Sequence, residues 1–243
     1  AAAFAQPVAA PSPEAQGSEV IFVVSLPRSG STLTEQILSA HSQVEGASEL
    51  PDLPAIIEEE SRRRGHPYPG WVGDASPEDW ARLGQAYLDR TARWREQRPR
   101  FTDKGLSNWA YVGAIMAMLP QARVVICRRD PLETCFSCFQ QLFARGQDFS
   151  YAIEDVVAYW RDFDRLSLHW VSQFPGRAQE SVYEHLVDDP ETHVIGVFLE
   201  TVHDPERFAR AAERALRMKK PIVMLKAGAS ENTARLAAAH TGA

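Results

Sequence analysis

Short apolar runs alternate with longer amphipathic stretches along the chain. The runs contain many Val and Ile and show little alternation, which is typical of strands covered on both faces. They are residues 20–25, 123–127, 194–200 and 222–225. Helical periodicity is found in residues 32–40, 78–96, 108–119, 132–144, 153–174 and 205–218. Because helices separate the strands, the pattern predicts an α/β fold with a central parallel sheet.

The chain is long enough for one sizeable core, or for a core with a small appendage. It has 243 residues, of which 44% are hydrophobic and 24% charged. No apolar run approaches the ~20 residues that cross a bilayer, and the first 17 residues lack the pattern of a secretion signal. Residues 1–19 are rich in Ala, Pro and Ser, so we expect a disordered linker there in a soluble protein.

Charge and cysteine content narrow the function classes further. A net charge of −6 argues against a nucleic-acid or membrane-surface binder, so any anion site must be local. Cys127, Cys135 and Cys138 are odd in number and lack partners at zinc spacing. They are interpreted as reduced core thiols in a cytoplasmic protein without a structural metal.

The first apolar run ends in the sequence Leu-Pro-Arg-Ser-Gly-Ser-Thr and then becomes helical. A parallel strand that enters a helix through a glycine-containing loop directs backbone N–H groups and the helix dipole at one anion. Arg28 would add a guanidinium suited to a tetrahedral oxyanion, and Ser31 and Thr32 would add hydroxyls. The alternative is an ordinary strand-to-helix turn that a serine side chain caps.

The loop lacks the Gly-Lys-Ser/Thr that binds the β- and γ-phosphates in kinases and GTPases. It resembles instead the 5′-phosphosulfate loop of sulfotransferases, which bind 3′-phosphoadenosine-5′-phosphosulfate (PAPS). This resemblance implies a three-layer α/β fold of P-loop type. It also implies that the donor is bound by Arg28, Ser29, Gly30, Ser31 and Thr32.

A second segment, RVVICRRDPLETCFSCFQQLF, resembles the 3′-phosphate element of the same family. Arg129 leaves the carboxyl end of a predicted parallel strand, where the ligands of open sheets collect. The resemblance implies that Arg129 and Ser137 bind the 3′-phosphate. The alternative for Arg129 is a salt bridge with Asp130 or a charge at the sheet edge.

The resemblance covers about residues 20–191 and is strongest to bacterial sulfotransferases that often follow tetratricopeptide repeats. These are themselves similar to protein-tyrosine sulfotransferases, so a peptide or small-molecule hydroxyl is the implied acceptor and upstream repeats the implied neighbour. The segment GRAQESVYEHLVDDPE resembles the part of these enzymes that lies beside the adenine ring of PAPS. This resemblance implies that Tyr183 contacts the adenine.

Sulfuryl transfer needs a base for the acceptor proton and cations for the leaving phosphate. Glu49 matches the catalytic glutamate of the tyrosine-sulfating relatives, against the alternative of a solvated loop carboxylate. His41 is the second candidate base, although a helix C-terminal cap is its simpler interpretation. Lys104 matches a lysine that steadies the transferring group, against the alternative of a surface lysine.

Residues 192–243 resemble a different family, the nucleoside-diphosphate-forming acyl-CoA synthetases, and His240 stands at the position of their phosphorylated histidine. This tail is predicted to be a βαβ piece that could add strands to the main sheet. Two other functions stay open: a non-catalytic nucleotide-binding or scaffolding module, and a fragment of an acyl-CoA synthetase.

Overall fold

The computed structural model describes residues 4, 16–141, 143, 147–183, 185, 195–199, 209, 212–213, 216–217 and 222–226. Two compact units are present, one of Ala1–Arg129 with Ala158–Ser181, the other of Asp130–Val157 with Val182–Ala243. Seven strands are described: β1 (Val20–Ser25), β2 (Val44–Gly46), β3 (Arg100–Asp103), β4 (Arg123–Arg128), β5 (Ala178–Val182), β6 (Ile195–Leu199) and β7 (Ile222–Lys226).

Five of these strands form one sheet in the order β2-β3-β1-β4-β5. The strand β1 is central, and it pairs in parallel with β3 on one side and with β4 on the other. The strand β2 extends the sheet by pairing in parallel with β3. This topology, with a glycine-containing loop leading from β1 into the next helix, confirms the predicted α/β fold of P-loop type with a central parallel sheet.

The helices lie between the strands in sequence, as the periodicity predicted. They are α1 (Ser31–Ser39), α2 (Asp52–Arg64), α3 (Pro77–Arg90), α4 (Val112–Met118), α5 (Pro131–Gln140) and α6 (Ile153–Gln173). Short 3₁₀ helices span Val72–Asp74, Ala92–Arg95, Leu106–Tyr111 and Asp148–Tyr151. Most of the helix predicted over residues 205–218 lies outside the described residues. The described positions within it, 209, 212–213, 216 and 217, are helical.

Local sequence explains where these helices begin and end. Ser76 caps α3 by accepting from the Asp79 N–H, while the Asp79 carboxylate accepts from the Ser76 N–H, with Pro77 at the first helical position. Helix α2 ends at Gly65, whose φ of 72° is readily adopted only without a side chain. Three consecutive arginines, 62 to 64, form its last turn and complement the dipole.

The core of the first unit surrounds β1, where Val20, Phe22, Val23 and Val24 are fully buried. The Phe22 ring lies 5.5 Å from the ring of Tyr87 on α3. Such continuous burial along a strand is expected when helices cover the sheet, and it explains why the apolar run before the loop does not alternate.

Two residues of the predicted linker contact the rest of the first unit. The Gln16 side-chain amide donates to the Met118 carbonyl at 3.0 Å, and the ring of Phe4 lies 5.8 Å from that of Trp170. The disordered linker over residues 1–19 stays a prediction. Polar and aromatic side chains among the small residues find partners on the core.

In the tail, β6 and β7 pair in parallel and form a two-stranded sheet of their own. The prediction that this segment could add strands to the main sheet is therefore wrong for the described strands. The strand β6 pairs with β7 instead. His240 lies outside the described residues.

Candidate active site

The loop of residues 26–30 turns the chain from β1 into α1 with two left-handed residues. Gly30 has a φ of 86°, and Arg28 has a φ of 66°, which is uncommon for a residue with a side chain. Left-handed residues in a tight turn point successive N–H groups into one concavity that suits an anion. The Arg28 side chain is exposed, so its guanidinium can reach a ligand at this loop.

The first turn of α1 is open to an anion. Gly30 is its N-cap, no side chain caps it by a hydrogen bond, and no acidic residue stands in the first turn. The alternative interpretation of a serine-capped turn is therefore wrong. Ser29 and Ser31 are buried and Thr32 is exposed, so backbone N–H groups, hydroxyls and the helix dipole form the donor set. This set fits a phosphate or phosphosulfate group.

Arg129 meets this loop from the end of β4. Its Nη1 atom donates to the Arg28 carbonyl at 3.2 Å. Its neighbour Arg128 points elsewhere and binds the carboxylates of Glu180, at 2.8 Å, and Asp164. The structure thus brings together Arg28 and Arg129, the leading residues of the two predicted nucleotide elements.

The two remaining nucleotide residues predicted from sequence belong to the second unit. Ser137 lies on α5, which begins at Pro131 after an Asp130 side chain that caps it by accepting from the Glu133 N–H at 2.9 Å. Tyr183 directly follows β5. Both side chains are partly buried, and their roles stay predictions.

Lys104 and Glu49 form an ion pair at the end of β3. The Nζ atom of Lys104 lies 3.1 Å from Glu49 Oε1, with 8% of the lysine side chain and 58% of the glutamate side chain exposed. Lys104 is therefore not a generic surface lysine, and Glu49 is a half-exposed carboxylate with a fixed cation beside it. Since β1 and β3 are parallel neighbours, both strands have their carboxyl ends on the same side of the sheet, where the anion loop also begins.

A hydrogen-bond network that the sequence did not predict joins α1 to β3 and to the segment that precedes Glu49. Glu35 of α1 is 8% exposed, and its Oε1 accepts from the Ser48 N–H at 2.9 Å and from the Thr102 hydroxyl at 2.7 Å. The Thr102 hydroxyl oxygen accepts in turn from the Ala47 N–H at 3.3 Å. The one signal in the sequence was an acidic residue four positions after Ser31, on the helix face that Ser31 shares.

His41 occupies a turn just after α1. Its N–H donates to the Leu38 carbonyl at 3.1 Å, and its Nδ1 accepts from the Gln43 N–H at 3.2 Å. The side chain is exposed. These contacts favour the interpretation that His41 ends the helix over its interpretation as the base.

Asp103 is a buried carboxyl directly before Lys104. It accepts from the Tyr87 hydroxyl at 2.7 Å and from the Asn108 amide at 3.2 Å. Burial raises the pKa of Asp103 to about 7, against the lowering effect of the Tyr87 hydrogen bond. This group therefore titrates near neutral pH and adds little negative charge under the site below that pH.

The part of the chain that the structure describes contains neither a metal-binding cluster nor a membrane-spanning helix. No group of three or more His, Cys, Asp or Glu side chains there could hold a metal ion. None of the described helices has the length and apolar character that crossing a bilayer requires.

Two family models match the chain, and they overlap. The model of the sulfotransferase family matches residues 20–199. That of a succinyl-CoA ligase like flavodoxin domain matches residues 178–243. Both predicted resemblances are thereby confirmed, the second for the tail alone.

Two relatives each match about 70% of the chain. An uncharacterized protein of Aquifex aeolicus (strain VF5) is 35% identical over 186 residues, which are 70% of this chain and 24% of that protein. The chain thus spans about a quarter of that relative. A candidate protein-tyrosine sulfotransferase of Caenorhabditis briggsae is 24% identical over 72% of this chain and 62% of its own length.

Among solved structures, the sulfotransferase domain of the olefin synthase from Synechococcus PCC 7002 superposes with a TM-score of 0.49 at 23% identity, covering 74% of this chain and 72% of that domain. The family model matches well over half of the residues, from the first strand through β6. The chain accordingly belongs to the sulfotransferase family.

Proposed function

We propose that this chain transfers a sulfuryl group from PAPS to a hydroxyl acceptor, with a tyrosyl hydroxyl as one candidate. The observation that carries the proposal is the ion pair between the half-exposed Glu49 and the buried Lys104, 3.1 Å apart at the sheet edge where β1 enters the anion loop. A base and a cation side by side are what sulfuryl transfer requires of a protein.

The donor would be bound by the residues of the two predicted nucleotide elements. In this proposal the N–H groups of residues 28–32 and the Arg28 guanidinium hold the 5′-phosphosulfate, because α1 has neither a side-chain cap nor an acid in its first turn. Arg129 and Ser137 hold the 3′-phosphate, and Tyr183 contacts the adenine.

The chemistry proposed for Glu49 is general-base catalysis. As the acceptor oxygen forms its bond to sulfur, its proton passes to the Glu49 carboxylate. The bond from sulfur to the bridging phosphate oxygen breaks, and adenosine 3′,5′-bisphosphate leaves with the electron pair. Protonation of Glu49 neutralises the partner of Lys104, so the ammonium charge then acts on the leaving oxygen together with Arg28.

The proposed function also includes a cellular location and neighbouring repeats. Cys127, Cys135 and Cys138 are buried, and none of them forms a disulfide within the described residues, which supports a reducing, cytoplasmic location. Upstream tetratricopeptide repeats stay a prediction from the family resemblance.

The test combines ligand titration with an activity assay on the whole chain. Calorimetry with adenosine 3′,5′-bisphosphate, CoA and ADP identifies the nucleotide, and labelled PAPS with tyrosine-containing peptides, phenols and sugars identifies the acceptor. We expect bisphosphate binding and labelled product from at least one acceptor class. Bisphosphate binding without product from any class would favour a binding module, and preference for CoA or ADP would favour the synthetase fragment.

A further inference from the structure

A buried acid joins the anion-loop helix to the segment that carries Glu49. Glu35 lies on α1, one turn beyond the loop, and its Oε1 accepts hydrogen bonds from Ser48 of that segment and from Thr102 of β3. A buried carboxylate costs free energy unless donors compensate it, so these two hydrogen bonds hold the side chain in one place.

The backbone that Glu35 holds is in an uncommon conformation. Ser48 has a φ of 61°, in the left-handed region that residues with side chains rarely adopt. Its N–H donates to Glu35, and its carbonyl accepts from the Lys104 N–H at 2.9 Å. Such a conformation persists where the surroundings fix it on both sides, and it often marks a functional segment.

This conformation sets the direction of the next side chain. Glu49 follows Ser48 directly, and its carboxylate meets Lys104 Nζ, while the Lys104 backbone is bound to Ser48. Resting on the proposed function, we propose that Glu35 is a positioning residue. Its carboxylate fixes residues 47–49 to β3 and so holds the Glu49 base against Lys104.

The arrangement also couples the donor and acceptor sides of the reaction. Helix α1 presents its first turn to the phosphosulfate, and Glu35 in its second turn sets the place of the base. A shift of the base by about 1 Å can cost on the order of a hundredfold in rate. The role predicted for Glu35 thus concerns turnover rather than affinity for the donor.

The test uses three variants of the whole chain. Glu35→Leu removes the acceptor, Glu35→Gln keeps a carbonyl oxygen that can accept both bonds, and Gln36→Leu makes a matched change at the adjacent exposed position. Measured quantities are the Kd for adenosine 3′,5′-bisphosphate, kcat and KM for transfer, and hydrogen exchange of the Ser48 amide.

We expect Glu35→Leu to lower kcat by roughly tenfold to a hundredfold and to speed exchange of the Ser48 amide. The bisphosphate Kd should stay within about threefold of the original. Glu35→Gln should restore most of kcat, and Gln36→Leu should change neither quantity. Unchanged kcat or unchanged Ser48 exchange in Glu35→Leu would overturn the proposal, as would equal losses in kcat and in bisphosphate affinity.

The role of Glu35 can still be tested if the leucine variant does not fold or if the unchanged chain is inactive. If Glu35→Leu does not fold, Thr102→Val and Thr102→Ser replace it: the first removes the hydroxyl that bridges Glu35 and Ala47, and the second keeps it. Slower turnover in the valine variant alone supports the role, and equal rates oppose it. If the unchanged chain transfers no sulfate, the proposed function fails, and Ser48 exchange still decides whether Glu35 fixes the segment.

Discussion

The Arg129 guanidinium donates a hydrogen bond to the Arg28 carbonyl across 101 positions of sequence, at 3.2 Å. This bond ties the end of β4 to the anion loop after β1, and these strands are parallel neighbours in the sheet. Because the Arg28 backbone has a positive φ, the carbonyl it presents to Arg129 depends on the loop conformation. The position of Arg129 and the conformation of the loop are thus linked.

We predict that Arg28→Ala and Arg129→Ala each weaken binding of adenosine 3′,5′-bisphosphate by roughly 1.5–3 kcal/mol, the range for hydrogen bonds to charged groups. Calorimetry measures both. Arg165→Ala is the control, because that arginine is exposed on α6, where it pairs with the exposed Asp162. Unchanged affinity in Arg129→Ala would refute the second nucleotide element.

A second prediction concerns the base. Glu49→Gln keeps the size of the side chain and removes its basicity, so we expect turnover to fall by about 10²- to 10⁴-fold with bisphosphate affinity retained. Glu45→Gln is the control, because the Glu45 carboxylate pairs with Arg98 at 3.4 Å. This variant should turn over as fast as the unchanged chain.

The competing assignment is tested beside it with His41→Ala. If that variant loses turnover while Glu49→Gln stays active, the histidine is the base and the ion pair with Lys104 has another purpose. The exposed position of His41 and its two local hydrogen bonds make us expect full activity.

Sequence patterns predicted the interior of the sheet better than its edge. Strands β1 and β4 have six mostly apolar residues each, whereas β2, at the edge of the sheet, has three residues and its neighbour β3 has four. Helix α2 was not predicted from the sequence either, since its second half reads Glu-Glu-Glu-Ser-Arg-Arg-Arg and shows little apolar periodicity. Short or polar elements acquire their structure from neighbours, which a local pattern does not contain.

The site was predictable only in its separate pieces. Motif resemblance singled out Glu49 and Lys104, but their ion pair depends on a fold that brings positions 55 apart in sequence together. The role of Glu35 depends on burial, since an acidic residue on a helix is usually solvated. Its partners Ser48 and Thr102 follow from the placement of β3 beside β1.

A third prediction concerns pH and Asp103. Burial raises its pKa from an ordinary 3.8 to about 7, so between these values the folded protein holds a proton that the unfolded chain has lost. Stability contributed by this group is therefore fully present below the unfolded pKa of 3.8 and falls as the pH rises towards 7, by up to roughly 4 kcal/mol.

The measurement is the difference in unfolding free energy between Asp103→Asn and the unchanged chain from pH 5 to pH 8. Taking the difference cancels other groups, including His169, whose pKa burial lowers and whose contribution has the opposite slope. We expect the asparagine variant to gain relative stability as the pH rises. A difference independent of pH would show that Asp103 stays ionised throughout.

The last prediction concerns the buried acid that joins α2 to α3. Glu60, with 2% of its side chain exposed, accepts from Arg63, Arg64 and Arg82 at 2.6 to 2.9 Å. The Arg63 hydrogen bond, followed by those of Arg64 and Arg82, lowers the pKa of Glu60 to about 2 against the raising effect of burial. The preceding residue, Glu59, pairs with Arg90 at 2.6 Å in an exposed position.

Because Arg64 is only 15% exposed and loses a carboxylate partner, Glu60→Ala should destabilise the fold by about 1–3 kcal/mol. Glu59→Ala, a change of the same kind one position away, should cost under about 1 kcal/mol, as exposed pairs do. Denaturant unfolding at neutral pH compares the two. Since the arginines of this cluster also bind Asp79, a Glu60→Ala cost as small as that of Glu59→Ala would mean that Asp79 alone can neutralise them.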